Sequence, residues 1–191
     1  MKKGTILLIT AALIIGAQGF SQNYHVVAEK SILRWSGKKL GKNHVGKVSL
    51  KEGNFKLKGD LLTSGEFVID MSSITNDDLT DPKMNDRLIG HLKSDDFFSV
   101  EKFPTATLTI KGSSKFVKDV AEVTADLTIK GITQPVAFKV KRIGNVYQSS
   151  VVFDRSLYDV RYGSGKFFED LGDKAIDDMI PLDVTLVAVK K

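Results

Sequence analysis

The chain has 191 residues, of which 42% are hydrophobic, and its 28 basic and 23 acidic side chains give a formal charge of +5. It contains no cysteine, which excludes disulfide bonds, thiol catalysis and cysteine-ligated metal sites. The length suffices for one domain with a full-sized hydrophobic core. A positive charge of this size is compatible with a nucleic-acid partner, but the exported destination predicted below argues against one.

The start of the chain is typical of a secretory signal peptide. Two lysines precede a mostly apolar run at residues 6–17, and small residues precede Gln22, where we expect cleavage. No cysteine is present to accept a lipid anchor. We therefore predict a signal peptide over 1–21 and one mature domain over 22–191, with no transmembrane span and a periplasmic or secreted location.

Beyond the leader, apolar and polar residues alternate with a period of two, which is typical of antiparallel strands with one buried and one solvated face. This pattern predicts an all-β fold, either a sandwich or a barrel. An eight-stranded barrel has an interior that side chains fill or that holds one small ligand. Nine strands are predicted, which can reduce to eight: 32–36, 44–50, 54–58, 61–71, 107–111, 122–130, 136–141, 147–153 and 182–188.

The stretch "DPKMNDRLIGHL" predicts one short helix over about 81–93. Asp81 is suited to the N-cap, and Pro82 to the first helical position, where its missing N–H has no cost. One face of this helix is expected to cover apolar surface. The residues predicted to share that face are Met84, Leu88, His91 and Leu92.

The chain has three histidines, His25, His44 and His91, and no two of them have the spacing of metal ligands. We therefore predict neither a metal site nor catalytic residues. The alternative is an enzyme of unknown reaction in which His44 and His91 act with a nearby aspartate. Partial matches to Ser-x-x-Lys and phosphate-loop motifs lack their companion elements, and we interpret them as chance.

Residues 30–47 contain six basic side chains and no acidic one. Such a run usually forms a solvated loop and strand face. The alternative is a basic lip that attracts an anionic head group or makes transient contact with a membrane surface.

The aromatic residues are spread over many of the predicted strands and do not form one surface ladder. Their default role is in the hydrophobic core. Together with leucine, isoleucine and valine they can instead line a hollow barrel that suits a long apolar ligand. Because periodicity does not distinguish a filled interior from a hollow one, a closed-core stress or interaction protein without a ligand stays open as an alternative.

Five stretches are distinctive when taken together: "NHVG" at 43–46, "GEFVIDMSSI" at 65–74, "HLKSDDFFSVEKFPTATL" at 91–108, "ADLTIKGITQPVAFKV" at 125–140 and "IPLDVTLVA" at 180–188. With them the mature chain resembles the YceI-like family of exported bacterial lipid-binding proteins over nearly its whole length. This resemblance implies an antiparallel, lipocalin-like barrel, which we expect to have eight strands and one short helix. The segment after Arg155 departs from the usual family pattern by being longer and more acidic, which affects one rim of the barrel.

The resemblance implies a binding or carrier protein, not an enzyme, that holds a polyisoprenoid or another long-chain amphiphilic lipid in its lumen. We expect no cofactor apart from that lipid, no nucleic-acid partner, and a monomer or homodimer. The stretch around Phe97 and Phe98 is expected to form a lid or side wall that is positioned by packing. The residues predicted at the lumen wall or mouth are Trp35, His44, Phe67, Ile69, His91, Phe97, Phe98, Phe138 and Phe153.

Overall fold

The computed structural model describes residues 21–39 and 41–191. The predicted signal peptide lies outside the described residues except for its last position, Ser21. None of the helices in the described part of the chain has the length and apolar content that crossing a bilayer requires. The elements are β1 (Ser21–Val26), β2 (Ile32–Lys39), β3 (Lys42–Lys58), β4 (Leu61–Asp70), α1 (Pro82–Lys93), β5 (Thr105–Ser113), β6 (Val120–Ile129), β7 (Ile132–Ile143), β8 (Val146–Asp154) and β9 (Met179–Lys190).

The strands form one closed antiparallel sheet with eight positions around the barrel. Consecutive strands from β3 to β9 are neighbours, and β1 and β2 together fill the eighth position between β9 and β3. Leu33 of β2 pairs with Val48 in the first half of β3, and Ser21 of β1 pairs with Lys58 in the second half. The predicted all-β, eight-stranded, lipocalin-like barrel with one helix is therefore confirmed, and the sandwich is excluded.

One long strand replaces two predicted ones. The sequence predicts separate strands at 44–50 and 54–58, but β3 runs through both without interruption, so this prediction is wrong. Gly53, which suggests a turn, lies inside the barrel wall, where a Cβ would be 2.9 Å from Phe67 Cδ1 and 3.3 Å from Val26 Cβ. The glycine therefore permits close packing and does not end the strand.

Aromatic side chains fill the barrel at the end where β1 begins and β9 ends. Tyr24 stacks on Phe55 with ring centroids 4.9 Å apart, and Tyr147 meets Phe55 edge-on at the same distance. Val26 of β1 and Val123 of β6 are fully buried. We call this the closed end, and we call the opposite end, which carries α1 and the β8–β9 connection, the mouth end.

The helix begins as predicted. Asp81 is the N-cap, its carboxylate accepts a hydrogen bond of 2.9 Å from the Met84 N–H, and Pro82 is the first helical residue. The predicted buried face is wrong at Met84, which is 53% exposed. Asn85 sets the rotation of the helix instead, because its side-chain amide donates to the Leu79 carbonyl at 3.0 Å. The side chains that pack against the barrel are Leu88, Ile89 and Leu92.

Candidate ligand-binding site

The barrel encloses a cavity of about 400 Å³ between the closed end and α1. A volume of this size is typical of sites that hold a small organic ligand. Each of the eight barrel positions contributes inward-facing side chains to its wall, and nearly all of them are aliphatic or aromatic. The interior is thus hollow towards the mouth end and filled at the closed end.

All nine residues predicted for the lumen wall or mouth line this cavity. The strands supply six of them, α1 supplies one, and the loop that follows α1 supplies two. That these side chains contact a ligand stays a prediction. They are Trp35, His44, Phe67, Ile69, His91, Phe97, Phe98, Phe138 and Phe153.

The loop after α1 forms the wall of the cavity at the mouth end through a series of aromatic contacts. The rings of Phe97 and Phe98 are 5.3 Å apart and meet edge-on. His91 packs edge-on against Phe97 at 5.6 Å and against Tyr162 at 4.4 Å. The charged residues between them, Asp95 and Asp96, remain exposed. Packing therefore connects α1 to the β8–β9 connection across the mouth end.

His44 lies on the cavity wall and is held by Asp78. Its Nδ1 is 2.8 Å from Asp78 Oδ2, while Asp78 Oδ1 accepts a hydrogen bond of 2.8 Å from the Val45 N–H. Partial burial on its own would raise the pKa of Asp78, but hydrogen bonds from Val45, His44 and Asn76 outweigh it and lower that pKa. The ionised carboxylate therefore orients the ring, with Nδ1 as the hydrogen-bond donor.

A close backbone approach explains the glycine of the "NHVG" stretch. The segment after β4 runs alongside β3, where the Thr75 N–H donates to the Lys47 carbonyl at 2.9 Å. A Cβ on Gly46 would lie 1.9 Å from the Thr75 carbonyl oxygen and 2.7 Å from the Trp35 ring. The Trp35 Nε1–H donates to the same oxygen at 3.1 Å. Gly46 thus allows the segment to fix the indole that lines the cavity.

The cavity reaches the surface at the mouth end, because Lys38, Lys39 and Tyr162 line it and are exposed. These two lysines belong to the basic run predicted as a solvated face or a basic lip. Another member of that run, Lys47, pairs instead with Asp77 at 3.3 Å. Two of the six basic side chains thus line the cavity.

One side of the mouth is built by residues 155–178, which we call the rim segment. Arg155 is fully buried and donates hydrogen bonds to the carbonyls of Val160 (2.9 Å), Tyr162 (2.9 Å), Ile176 (3.1 Å) and Asp177 (3.1 Å). Burial lowers the pKa of Arg155, although nearby carboxylates oppose the change, and arginine stays charged. Arg155 was not among the residues predicted from the sequence. Arg155 comes two residues after Phe153 and continues the alternation of inward-facing residues along β8. That alternation is the signal that could have revealed it.

Ser149 contributes a hydroxyl to the mostly apolar wall of the cavity. Ser149 Oγ is buried, lines the cavity and has no hydrogen-bond partner among the described residues. Ser149 and Val140 form the pair at which β8 and β7 part, since these strands are not paired from there towards the mouth end. The rim segment contacts β7 in that region.

Across residues 21–39 and 41–191, no group of three or more histidine, cysteine, aspartate or glutamate side chains has an arrangement that could hold a metal ion. His44 and His91 both line the cavity, but the neighbours they contact differ. His44 is bound to Asp78, whereas His91 packs among aromatic rings. The structure gives each of these two histidines a defined packing or orienting contact.

Comparison with known proteins places the chain in a family. Its sequence matches the YceI-like domain over residues 24–188. A UPF0312 protein of Pseudomonas aeruginosa is 46% identical over 54 residues, which is 28% of this chain and 28% of that relative. The match thus spans little more than a quarter of the relative's length.

Two solved structures have a similar fold. Burkholderia cenocepacia BcnA is 22% identical, with 86% of this chain and 99% of that chain covered and a TM-score of 0.59. A polyisoprenoid binding domain from Saccharophagus degradans, implicated in plant cell wall breakdown, is 16% identical, with 88% and 98% covered and a TM-score of 0.62. With the domain match across 24–188 and a shared closed barrel, this chain belongs to the YceI-like domain family.

Proposed function

We propose that the mature chain is an exported carrier that holds a polyisoprenoid or another long-chain amphiphilic lipid in its barrel cavity. The observation that carries this proposal is the apolar cavity of about 400 Å³, which is filled by aromatic rings at one end and reaches the surface at the other. The related domain from Saccharophagus degradans, named for polyisoprenoid binding, supports the same ligand class.

Burial of the lipid's hydrocarbon tail supplies the binding affinity. Each methylene removed from water contributes about 0.8 kcal/mol, so a five-carbon isoprene unit contributes a few kcal/mol before ordering costs. A wall of aliphatic and aromatic side chains imposes little directional chemistry on such a chain. We therefore expect loose selectivity for the tail, with chain length limited by the rings of Tyr24, Phe55 and Tyr147.

The polar head is expected at the mouth, where the basic and titratable side chains of the cavity lie. Lys38 and Lys39 are exposed there, and His44 is oriented by Asp78 through Nδ1, which leaves Nε2 as the nitrogen for a head group. Cationic ammonium groups favour a head group with anionic or carbonyl oxygens. These residues are proposed as binding residues, and we assign no catalytic role to any of them.

The predicted leader over 1–21 supports a periplasmic or secreted carrier, and a lipid of this class requires such a protein to cross an aqueous space. A buried carrier site needs neither a metal nor a second subunit. We accordingly propose a lipid ligand without further cofactor, and a monomer or homodimer as the working unit.

Native mass spectrometry of the protein purified from cells, followed by organic extraction, tests this proposal. We expect a stoichiometric isoprenoid or long acyl chain. Leu108→Trp, which extends an inward side chain of β5 into the cavity, should reduce occupancy several-fold, whereas Thr109→Trp on the outer face of the same strand should not. Protein that is empty and also fails to take up added isoprenoid quinones or fatty amides would overturn the carrier function.

A further inference from the structure

A group of apolar side chains is exposed to solvent at the mouth end. Six of them lie in the rim segment or on the strand residues that flank it, and each is between 43% and 51% exposed. Several large apolar side chains exposed on one segment of a protein often mark a surface that meets a partner. The six residues are Val152, Leu157, Tyr162, Phe167, Phe168 and Met179.

The aromatic members of this group are held in place. The backbone N–H groups of Phe167 and Phe168 both donate to the carbonyl of Ser164 at 3.1 Å. Ser164 is itself fully buried, and its hydroxyl donates to Asp178 at 2.9 Å. Because Ser164 is buried, the turn that it anchors is fixed, and this turn presents the two phenylalanine rings to solvent.

The exposed surface continues the wall of the cavity. Tyr162 belongs to both, since it lines the cavity and is 48% exposed. Its backbone carbonyl is bound by Arg155 at 2.9 Å, and its ring contacts His91 of α1. Tyr162 therefore belongs to the cavity wall and is also an exposed aromatic residue of the rim segment.

Charge around these exposed side chains does not favour an anionic partner. The rim segment contains six acidic and four basic residues. Three of the four basic side chains are engaged locally: Arg155 is buried beside Asp178, Arg161 stacks over the Phe167 ring at 5.1 Å, and Lys166 pairs with Asp154. The surface is thus aromatic and apolar, with charges at its edge, as in proteins that insert aromatic rings at the head-group level of a bilayer.

We propose that the rim segment docks on the surface of a lipid bilayer, with Tyr162, Phe167 and Phe168 inserted among the head groups and the mouth facing the membrane. This inference rests on the proposed function, because a cavity for a sparingly soluble lipid must load and unload where such lipids reside. It assigns the docking to aromatic insertion and not to the basic run at 30–47. Neutral lipids are therefore sufficient.

Flotation of the mature protein with phosphatidylcholine vesicles tests the docking surface. We expect the protein to float with the vesicles, with little change between low and roughly 0.5 M salt, because insertion of apolar rings is not screened. The double variant Phe167→Ser/Phe168→Ser should lose at least tenfold in vesicle partitioning. Both rings are solvent-exposed, so the variant is expected to keep the circular dichroism spectrum and unfolding midpoint of the parent.

The matched control is Val117→Ser/Ile143→Ser, which removes two exposed apolar side chains at the closed end and should leave partitioning unchanged. Absence of flotation by the parent protein, equal loss in both double variants, or binding only to anionic vesicles would overturn the docking surface. A parent that fails to float yet self-associates through the rim segment would overturn it in favour of a second copy of the chain.

Lipid uptake separates this inference from the proposed function. Uptake of an isoprenoid quinone from ethanol dispersion without vesicle binding would remove the docking surface and leave the carrier. Vesicle binding that is lost in Phe167→Ser/Phe168→Ser, by protein that takes up no lipid from either source, would support the surface and remove the carrier.

Discussion

Arg155 Nη2 lies 3.1 Å from Asp178 Oδ1, so the first and last residues of the rim segment form an ion pair. The guanidinium is fully buried and the carboxylate is only 15% exposed. Asp178 Oδ1 has no hydrogen bond of good geometry among the described residues, so its contact with the arginine is electrostatic. This pair holds together the two ends of the rim segment, which is a long connection that contains no strand.

Removal of the buried arginine should destabilise the whole barrel. Arg155→Ala leaves the Asp178 carboxylate without its cation and several carbonyls without a donor, and we expect a loss of about 3–5 kcal/mol in the free energy of unfolding. Arg142→Ala is the matched control, since Arg142 pairs with Asp60 and Asp119 at a more exposed site. That variant should lose about 1 kcal/mol or less. Urea unfolding measures both, and equal losses would contradict the assignment.

The unpaired hydroxyl in the cavity wall predicts a stabilising substitution. Ser149→Ala removes a buried polar group that has no protein partner, so the free energy of unfolding should rise by about 1 kcal/mol. Ser164→Ala makes the same chemical change where the hydroxyl donates to Asp178 at 2.9 Å, and it should lose about 1–3 kcal/mol. Thermal unfolding monitored by circular dichroism gives the signs, and a loss in both variants would show that Ser149 is satisfied in solution.

Two glycine substitutions should have opposite effects. Gly46→Ala places a methyl group against the Thr75 carbonyl and the Trp35 ring, and we expect a loss of about 3 kcal/mol or more. Gly90→Ala lies in the exposed face of α1, where the new Cβ meets no atom within 4 Å apart from its chain neighbours and the backbone of its own helix, so helix propensity should raise stability by about 1 kcal/mol. Tryptophan fluorescence during urea unfolding reports both changes. A neutral Gly46→Ala would mean that the segment carrying Thr75 is not held against β3.

Two buried tyrosines predict a loss of stability at alkaline pH. Burial, with a smaller contribution from Tyr24, raises the pKa of Tyr147 to about 12, and burial, with a contribution from Asp154, raises the pKa of Tyr158 to about 12. Both phenols stay neutral in the folded protein while they ionise in the unfolded chain above about pH 10. The contribution of these two tyrosines to the free energy of unfolding is therefore complete below pH 10, and it is lost as the pH rises towards 12.

For two groups with shifts of this size the loss should total about 5 kcal/mol. Chemical unfolding at a series of pH values measures it, and the double variant Tyr147→Phe/Tyr158→Phe should show a flatter profile. Tyr158 Oη has no hydrogen-bond partner among the described residues, so its removal should cost little at neutral pH. A variant profile as steep as that of the parent would assign the alkaline loss to other groups.

Local signals in the sequence were sufficient for part of the fold. Asp81 and Pro82 mark the start of α1 through contacts within one helical turn, and the alternation along β6 to β9 reflects a wall with one inner face. The prediction of the buried helix face was partly wrong, because the rotation of α1 depends on the hydrogen bond from Asn85 to Leu79. The spacing of apolar residues does not reveal this hydrogen bond.

Long-range contacts account for what the sequence could not predict. Gly53 looks like a turn residue, yet its role depends on Val26 and Phe67, which lie on other strands. β1 (Ser21–Val26) was not predicted at all, because its six residues are too few for a clear alternation and begin inside the expected leader. The nine wall residues were predicted through the family resemblance, and alternation along a strand applies to only six of them. The volume of the cavity depends on packing between distant parts of the chain, for which the sequence has no local signal.

The closed end has a practical consequence for handling the protein. β1 begins there and β9 ends there, and the Lys191 N–H donates to the Asn23 carbonyl at 2.9 Å. An affinity tag or a fluorescent fusion joined after Lys191 therefore emerges a full barrel length away from Tyr162. Protein immobilised on a sensor chip through that position would keep its opening turned towards the flowing sample, so that lipid exchange can be followed without obstruction.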